Sequence, residues 1–208
     1  MVKLIGIMIY SLLLCSSSKS QSNCIKECYD KIFTHRADGL KENMTNEAII
    51  KYTKNTDSLL QSCIVSCYLP DFSFKTINGL EINNITLKNK IIIINFWYPG
   101  CISCHKEIPA LQKLGLEYNQ NSEIILLSIS YEMREKVIQS LPESSMIGWK
   151  LIVEEKVLSN EIAKFYPTTI ITDKSGKIAG YWMGIPDIED NKIYIYNQLK
   201  AVLKKLGT

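Results

Sequence analysis

The pattern of hydrophobic and polar positions divides the chain near residue 70. Before that point, helical periodicity predicts two helices, one from Cys24 to about His35 and one from about Glu47 to Tyr68. Thr45-Asn46 supplies a cap at the start of the second helix, and Leu69-Pro70 ends it. Residues 21–69 are therefore predicted to form a helical hairpin.

After residue 70, short β-branched runs alternate with helical periodicity. Asn78-Gly79 predicts a β-hairpin turn, Ile91–Trp97 predicts a buried strand, and a helix is predicted from the cysteines at 101 and 104 to about Tyr118. The other predicted elements are strands at 123–130, 168–172 and 177–183 and helices at 132–140, 155–165 and 188–206. This order predicts an α/β sandwich around a central mixed β-sheet over residues 70–208.

The first twenty residues have a different pattern, which is typical of an export signal. Lys3 gives a positive start, Leu4–Leu14 is mostly apolar, and Ser16–Ser20 brings small residues to a cleavage point before Gln21. Attachment of a lipid at Cys15 is the alternative, although the residue before such a cysteine is usually small. The apolar run is too short to span a membrane as a folded helix, and no later segment is apolar for long enough.

Composition and charge exclude several classes of protein. Hydrophobic residues make up 46% of the chain and charged residues 22%, as in ordinary globular proteins. The formal charge of +3 falls to +1 without the two lysines of the leader. No basic stripe remains to attract nucleic acid, so we expect no nucleic-acid partner.

The cysteines support the prediction of export. Cys15 belongs to the leader, and the six cysteines that remain form an even set, as expected in an oxidising compartment. A spacing of four places each hairpin pair on one helical face. Antiparallel helices could then be joined by two disulfides, Cys24 with Cys67 and Cys28 with Cys63, each contributing about 3–4 kcal/mol. A four-cysteine zinc site is the alternative, and no metal is expected elsewhere.

The remaining pair, Cys101 and Cys104, forms a C-x-x-C directly after a buried strand and at the start of a helix. A helix start presents unpaired N–H groups and a partial positive charge. We therefore expect the Cys101 thiolate to be stabilised, and only the thiolate attacks a disulfide. Cys104, one turn further on, can then displace whatever Cys101 has bound.

The stretch NFWYPGCISCHKEIPAL at residues 95–111 resembles the thioredoxin superfamily, and specifically the exported TlpA/ResA-like thiol–disulfide oxidoreductases. Those proteins typically show F-W, a C-x-x-C and K-E-x-P-x-L in this order. The resemblance extends through PDFSFKTINGLEINNITLKNK before the site and YPTTIITDKSGKIAGYWMG after it. It covers residues 70–206, implies a thioredoxin-like fold, and leaves the helical hairpin without a counterpart.

The resemblance also implies roles for individual residues. Cys101 corresponds to the nucleophile and Cys104 to the resolving thiol, while Glu107 corresponds to the acid that moves the proton of the buried cysteine. Pro167 corresponds to a cis-proline that faces the dithiol, with Tyr166 before it. A partner chain is expected to pair with the backbone there. Trp97, with these two residues, is predicted to bind substrate.

Four positions depart from the family pattern. Gly100 replaces the usual Trp before the first cysteine, and Ile102-Ser103 replaces the common pair containing proline. Asn95 stands where thioredoxin has a buried aspartate, so the proton role falls more heavily on Glu107.

Together these features predict dithiol–disulfide exchange outside the cytoplasm. The expected partners are exported proteins with cysteines and a membrane thiol that donates or accepts electrons, and no cofactor is implied. A peroxidase of the peroxiredoxin type shares the fold, but its usual proline–threonine signature is absent before Cys101. A redox-inactive binding module and a copper-delivering module are further alternatives, and the latter would need a distal histidine besides His35 and His105.

Overall fold

A computed structural model describes residues 23–39, 44–141, 146–184 and 193–208, with only the backbone at 35–39. The predicted leader, with Cys15 and the cleavage point before Gln21, lies outside these residues, as does the start of the predicted closing helix at 188–192. Among the helices of these segments, none combines the length and apolar character needed to cross a bilayer.

The chain forms one mixed sheet with helices on both faces. The helices are α1 Cys24–Gly39, α2 Asn46–Ile64, α3 Ile102–Tyr118, α4 Arg134–Ser140, α5 Val157–Ile162 and α6 Tyr194–Lys205. The strands are β1 Ser73–Lys75, β2 Glu81–Asn83, β3 Ile91–Trp97, β4 Ile124–Ser130, β5 Trp149–Ile152, β6 Thr168–Thr172 and β7 Ile178–Met183. Strands β1 and β2 form the predicted antiparallel hairpin, and the other five form a sheet in the order β5-β4-β3-β6-β7.

Strand β3 is central and entirely buried, which its run of β-branched residues predicts. It pairs parallel to β4 and antiparallel to β6. Ile91 and Ile93 pack in the cluster that contains α3 and α6, whereas Ile92, Ile94 and Phe96 pack in the cluster that contains α1 and α2. The predicted α/β sandwich around a mixed sheet is therefore confirmed.

The helical hairpin, α1 and α2, shares its core with the sheet. Tyr29 of α1 and Leu60 of α2 lie in one buried cluster with Phe96 and Tyr181 of the sheet. Two short helices bury too little apolar surface to be stable alone. The sheet supplies the missing partner surface, so the hairpin acts as a layer of the fold.

Helix α2 ends at Ile64, so the prediction that it continues to Tyr68 is wrong. Ser66 has a positive φ of 105°, and its N–H donates to the Ile178 carbonyl at 3.0 Å. The N–H of Ile178 donates in turn to the Cys67 carbonyl at 2.8 Å. The backbone groups of Ser66 and Cys67 therefore bond to the start of β7 instead of continuing the helix. Cys67 therefore lies outside the helix on which its four-residue spacing had placed it.

Strand β5 was not predicted from the sequence. It has only four residues, the middle two are half-buried, and it pairs parallel to β4 at the edge of the sheet. Trp149 Nε1 donates to the Leu111 carbonyl at 2.9 Å, which ties the strand to α3. A side chain on Gly115 would collide with the backbone of Ile147, so this close approach requires glycine. Whether these four residues form a strand therefore depends on their contacts with β4 and α3, which are distant in sequence.

Two other predicted helices have different limits. Helix α5 covers Val157–Ile162 rather than 155–165, since the backbone leaves the helical region at Ala163, with φ −103° and ψ 81°. Residues 163–167 consequently form a loop in front of β6. Helix α1 continues to Gly39, beyond the predicted end near His35.

Candidate active site

The C-x-x-C lies at the junction between β3 and α3. Cys101 is the N-cap of α3, and its Sγ accepts the N–H of Cys104 at 3.1 Å. The two cysteines form a disulfide, with 5.2 Å between their Cα atoms. The Cys101 N–H donates to the Tyr98 carbonyl at 3.1 Å, which closes the turn before the helix. This geometry provides the N–H donor that the sequence predicted for a Cys101 thiolate.

The disulfide lies just below the surface. Cys101 is 4% exposed and Cys104 is 3% exposed, whereas Ile102 between them is 78% exposed. The Ser103 hydroxyl lies 3.5 Å from Cys101 Sγ, close enough to donate a hydrogen bond to the sulfur. The two sulfur-bearing side chains are therefore largely covered, and the exposed side chain between them is Ile102.

Glu107 lies one turn beyond Cys104 on α3 and is only 4% exposed. Asn95 Nδ2 donates to Glu107 Oε2 at 3.2 Å and to Thr169 Oγ1 at 2.9 Å. Burial raises the pKa of Glu107 to about 8, and the hydrogen bond from Asn95 opposes the rise. The carboxyl group is therefore able to take up or release a proton near neutral pH.

Trp97 and His105 support the loop that carries Cys101. Trp97 is 3% exposed, and its Nε1 donates to Ser128 Oγ at 2.8 Å. Trp97 packs in one buried cluster with both cysteines, and its contact with substrate stays a prediction. His105 Nε2 lies 2.8 Å from the Pro99 carbonyl, and since a carbonyl only accepts, Nε2 carries the proton.

Tyr166 and Pro167 lie beside the dithiol loop. Phe96 pairs with Thr168, so the residues before Thr168 run alongside the end of β3. The Tyr166–Pro167 peptide bond is cis, as the sequence predicted, and Tyr166 packs against the cluster that contains both cysteines. Among the backbone hydrogen bonds of the described residues, none involves the Tyr166 amide or carbonyl. Within these residues the Tyr166 backbone groups therefore have no main-chain partner.

Three tyrosines form a cluster at the carboxyl ends of β3 and β4 and in the loop before β6: Tyr98, Tyr131 and Tyr166. Their ring centroids lie 5.3–5.6 Å apart. Burial, followed by the proximity of Tyr131, raises the pKa of Tyr166 to about 12, and burial also raises the pKa of Tyr131. The sequence analysis missed Tyr131. The signal was available, because Tyr98 and Tyr131 each directly follow one of two paired parallel strands.

The helical hairpin contacts the loop in front of Pro167. Tyr29 Oη donates to the Ile162 carbonyl at 2.6 Å, so it must accept the hydrogen bond from Tyr181 Oη, 2.5 Å away. The rings of Phe33 and Phe165 lie 5.6 Å apart. Helix α1 therefore supports the segment from the end of α5 to Pro167.

The hairpin cysteines form two disulfides, Cys24–Cys67 and Cys28–Cys63, which is the pairing that the sequence predicted. The Sγ atoms of Cys24, Cys28 and Cys67 all lie within 4.8 Å of one another. Because these sulfurs are bonded in pairs, they are not present as the thiolates that a zinc site would need.

Comparisons with known proteins agree with this geometry. The AhpC/TSA family matches residues 65–182. The thioredoxin-like protein YneN of Bacillus subtilis (strain 168) is 30% identical over 117 residues, which cover 55% of this chain and 69% of that protein. The thiol-disulfide oxidoreductase ResA of Bacillus thuringiensis (strain Al Hakam) is 23% identical over 139 residues, covering 66% of this chain and 75% of the relative.

A solved structure shows the same fold. The solution structure of a putative protein disulfide isomerase from Bacteroides thetaiotaomicron superimposes with a TM-score of 0.55 at 22% identity, covering 66% of this chain and 88% of that one. The family match begins at Val65. It therefore contains the dithiol and Pro167 but not α1 or α2.

Proposed function

Because this chain belongs to the AhpC/TSA family and has a thioredoxin-like fold, we propose that it is a protein-disulfide oxidoreductase that exchanges disulfides through Cys101 and Cys104. One observation carries the proposal: the pair caps a helix that follows the central strand, with the Cys104 N–H directed at Cys101 Sγ. In the reduced protein this donor would stabilise the Cys101 thiolate, the form that attacks a disulfide.

In the reducing direction, the Cys101 thiolate attacks one sulfur of a partner disulfide. A mixed disulfide forms, and the second partner sulfur leaves as a thiolate. Cys104 then loses its proton and attacks Cys101 Sγ, which releases the remaining partner sulfur and forms the Cys101–Cys104 bond. Two electrons pass from the dithiol to the partner, and the oxidising direction reverses these steps.

Glu107 is the proposed proton acceptor for Cys104, since both lie on the buried face of α3. With a pKa of about 8, Glu107 is ionised in about a tenth of the molecules at pH 7. The ionised form accepts the Cys104 proton in the reducing direction. The protonated form returns it when the steps run backwards.

A partner chain is proposed to dock on the surface around the dithiol. Ile102 offers an exposed apolar contact next to Cys101, and the unpaired Tyr166 backbone offers hydrogen bonds to an extended segment. Main-chain pairing of this kind tolerates many partner sequences, as a general exchanger of disulfides requires.

We place this activity outside the cytoplasm. The leader at residues 1–20 and the two hairpin disulfides support that location, because disulfides persist in oxidising compartments. The proposed partners are exported proteins with cysteines, and a membrane thiol would restore the redox state of the dithiol after each cycle.

Reduction of insulin disulfides tests the catalytic assignment. We expect Cys101→Ser to lower the rate at least about a thousandfold, the scale expected for loss of a nucleophile. Cys104→Ala should instead accumulate mixed disulfides with partners, because the second attack cannot occur. The control is the double variant Cys24→Ala/Cys67→Ala, which removes a disulfide far along the chain from the dithiol and should still turn over at temperatures where it is folded.

Other outcomes would contradict the proposal. Full activity of Cys101→Ser would remove the catalytic assignment. Consumption of hydrogen peroxide without exchange with protein disulfides would support a peroxidase instead. A Cys101–Cys104 disulfide that no dithiol reduces would support a redox-inactive binding module.

A further inference from the structure

An open groove of about 410 Å³ lies beside the tyrosine cluster. Its walls are formed by Tyr131, Lys156, Asn160, Ala163, Lys164 and Tyr166. Because Tyr131 and Tyr166 belong to both the groove and the cluster, the groove begins where the surface around the dithiol ends. A partner segment whose cysteine reaches Cys101 can therefore extend into it.

The groove is positively charged. Lys156 and Lys164 both line it and are exposed, and no carboxylate is among its lining residues. Lys164 Nζ donates to the Asn160 carbonyl, and within the segments that the structure describes neither lysine forms an ion pair. Two cations without an acidic partner favour an anionic occupant.

The polar groups of the walls are also suited to an anion. The hydroxyl of Tyr131 is protonated at neutral pH, as in any tyrosine whose pKa is not lowered, whereas the hydroxyl of Tyr166 interacts with the side chain of Ser159. Tyr131 can therefore donate a hydrogen bond, as can the exposed side-chain amide of Asn160. Charge-assisted hydrogen bonds to a carboxylate are stronger than those between neutral groups.

The groove is held in shape by the helical hairpin. Tyr29 bonds to the carbonyl of Ile162, the last residue of α5, and Phe33 packs on Phe165. Lys164 Nζ also lies 5.9 Å from the centre of the Tyr29 ring. The wall between α5 and Tyr166 is therefore supported from behind, which lowers the free-energy cost of ordering it when a partner binds.

We propose that this groove binds an aspartate or glutamate side chain close to the target cysteine of a partner protein. This inference rests on the proposed function and names its preferred substrates: disulfides and thiols in polypeptides with an acidic residue beside the cysteine. Lys156 and Lys164 are the specificity-determining residues, and Tyr131 donates a hydrogen bond to the bound carboxylate.

Two peptide disulfides that differ only in Glu or Gln beside the cysteine test the inference. We expect the wild-type protein to show a kcat/KM about three to ten times higher for the Glu peptide, mainly through KM, as for a pair of partly exposed ionic contacts. The preference should shrink as salt is added, because exposed charges are screened. In Lys156→Gln/Lys164→Gln, the kcat/KM for the Glu peptide should fall to that for the Gln peptide.

Two further variants make the test specific. Lys156→Glu/Lys164→Glu should prefer a Lys-flanked peptide over the Glu peptide, which a loss of stability would not produce. Lys54→Gln, on an exposed position of α2, removes one charge away from the groove and should keep the wild-type preference. A preference that survives the double glutamine variant, or that Lys54→Gln lowers equally, overturns the inference.

The test separates the two proposals. If the wild-type protein exchanges neither peptide disulfide, the proposed function fails. If it exchanges both at the same rate, the function stands and the assignment of the groove is wrong.

Discussion

One cysteine of each hairpin disulfide is as buried as the two cysteines of the dithiol, yet the surroundings of the disulfides differ. Cys28 and Cys67 are 4% and 2% exposed, and Cys101 and Cys104 are 4% and 3% exposed. The hairpin disulfides close separations of 43 and 35 residues within an apolar cluster. The dithiol closes a separation of three at a helix start, beside a hydroxyl and a buried carboxyl group. Burial therefore does not distinguish structural from reactive cysteines, whereas loop length and local polar groups do.

Removal of a hairpin disulfide should mainly lower stability, whereas removal of the dithiol should mainly abolish exchange. On the chain-entropy model, closing 35–43 residues contributes about 4 kcal/mol to the free energy of unfolding, and closing three contributes less than about 2 kcal/mol. We expect Cys28→Ala/Cys63→Ala to lose about 2–3 kcal/mol in denaturant unfolding, less than the value for an isolated loop because Cys24–Cys67 still encloses it, while the folded protein still exchanges disulfides. Cys101→Ala/Cys104→Ala should lose exchange entirely and less stability. Equal losses of stability in both variants would contradict the comparison.

Glu107 distinguishes the dithiol from the hairpin cysteines by supplying a proton carrier. We expect Glu107→Gln to lower the exchange rate about 10- to 100-fold, the usual range for loss of a general acid or base. The part of the pH–rate profile that rises near pH 8 should disappear with it. The substitution keeps the acceptor for Asn95, so a rate and profile like those of the wild type would mean that Glu107 has no proton role.

The same residue should make stability depend on pH. The pKa of Glu107 rises from an ordinary 4.5 to about 8 on folding, so between these values the folded state binds more protons than the unfolded state. The free energy of unfolding should therefore fall as pH rises from 4.5 to 8, by about 1.4 kcal/mol per unit from this group. Comparison of wild type and Glu107→Gln by denaturant unfolding across this range measures the slope. Parallel curves would contradict the assignment.

Tyr29 joins the helical hairpin to the loop before Pro167, so its substitution should affect both stability and disulfide exchange. Tyr29→Phe leaves the Ile162 carbonyl without its partner, and we expect a loss of about 1–3 kcal/mol in unfolding. We also expect a few-fold increase in KM for protein disulfides, since the loop beside the dithiol loses its support. The control is Tyr196→Phe, whose hydroxyl bonds to the exposed Glu117. An effect on stability alone would mean that the hairpin does not position the loop.

The sequence predicted those features that depend on neighbours in the chain. The run Ile91–Trp97 identified the central strand, and the C-x-x-C after it identified the start of α3. Helical periodicity identified α1 and α2 and led to the pairing of the four hairpin cysteines. The pairing survived although Cys67 lies outside α2, because the cysteines at the two ends of the hairpin meet whether or not the last turn is helical.

Features built from distant segments were missed or misplaced. Strand β5 exists because β4 and α3 hold it, and its four residues have no periodicity to detect. The hydrogen bond that holds the Trp97 indole depends on Ser128 of the paired strand β4, which no local pattern around Trp97 indicates. Tyr131 lies beside Tyr98 because β4 pairs with β3 in parallel, with Trp97 opposite Ser130.

By itself, the sequence predicted which residues react, since a helix start and a three-residue spacing are local properties of the chain. The tertiary structure decided the pKa of the carboxyl group near those residues and the shape of the surface around them. The pKa of Glu107 rises because α3, β3 and β6 together remove it from water. The groove exists because β4, α5 and the loop before Pro167 converge from separate parts of the chain. Desolvation and convergence both arise from packing between segments, and no local pattern of residues encodes them.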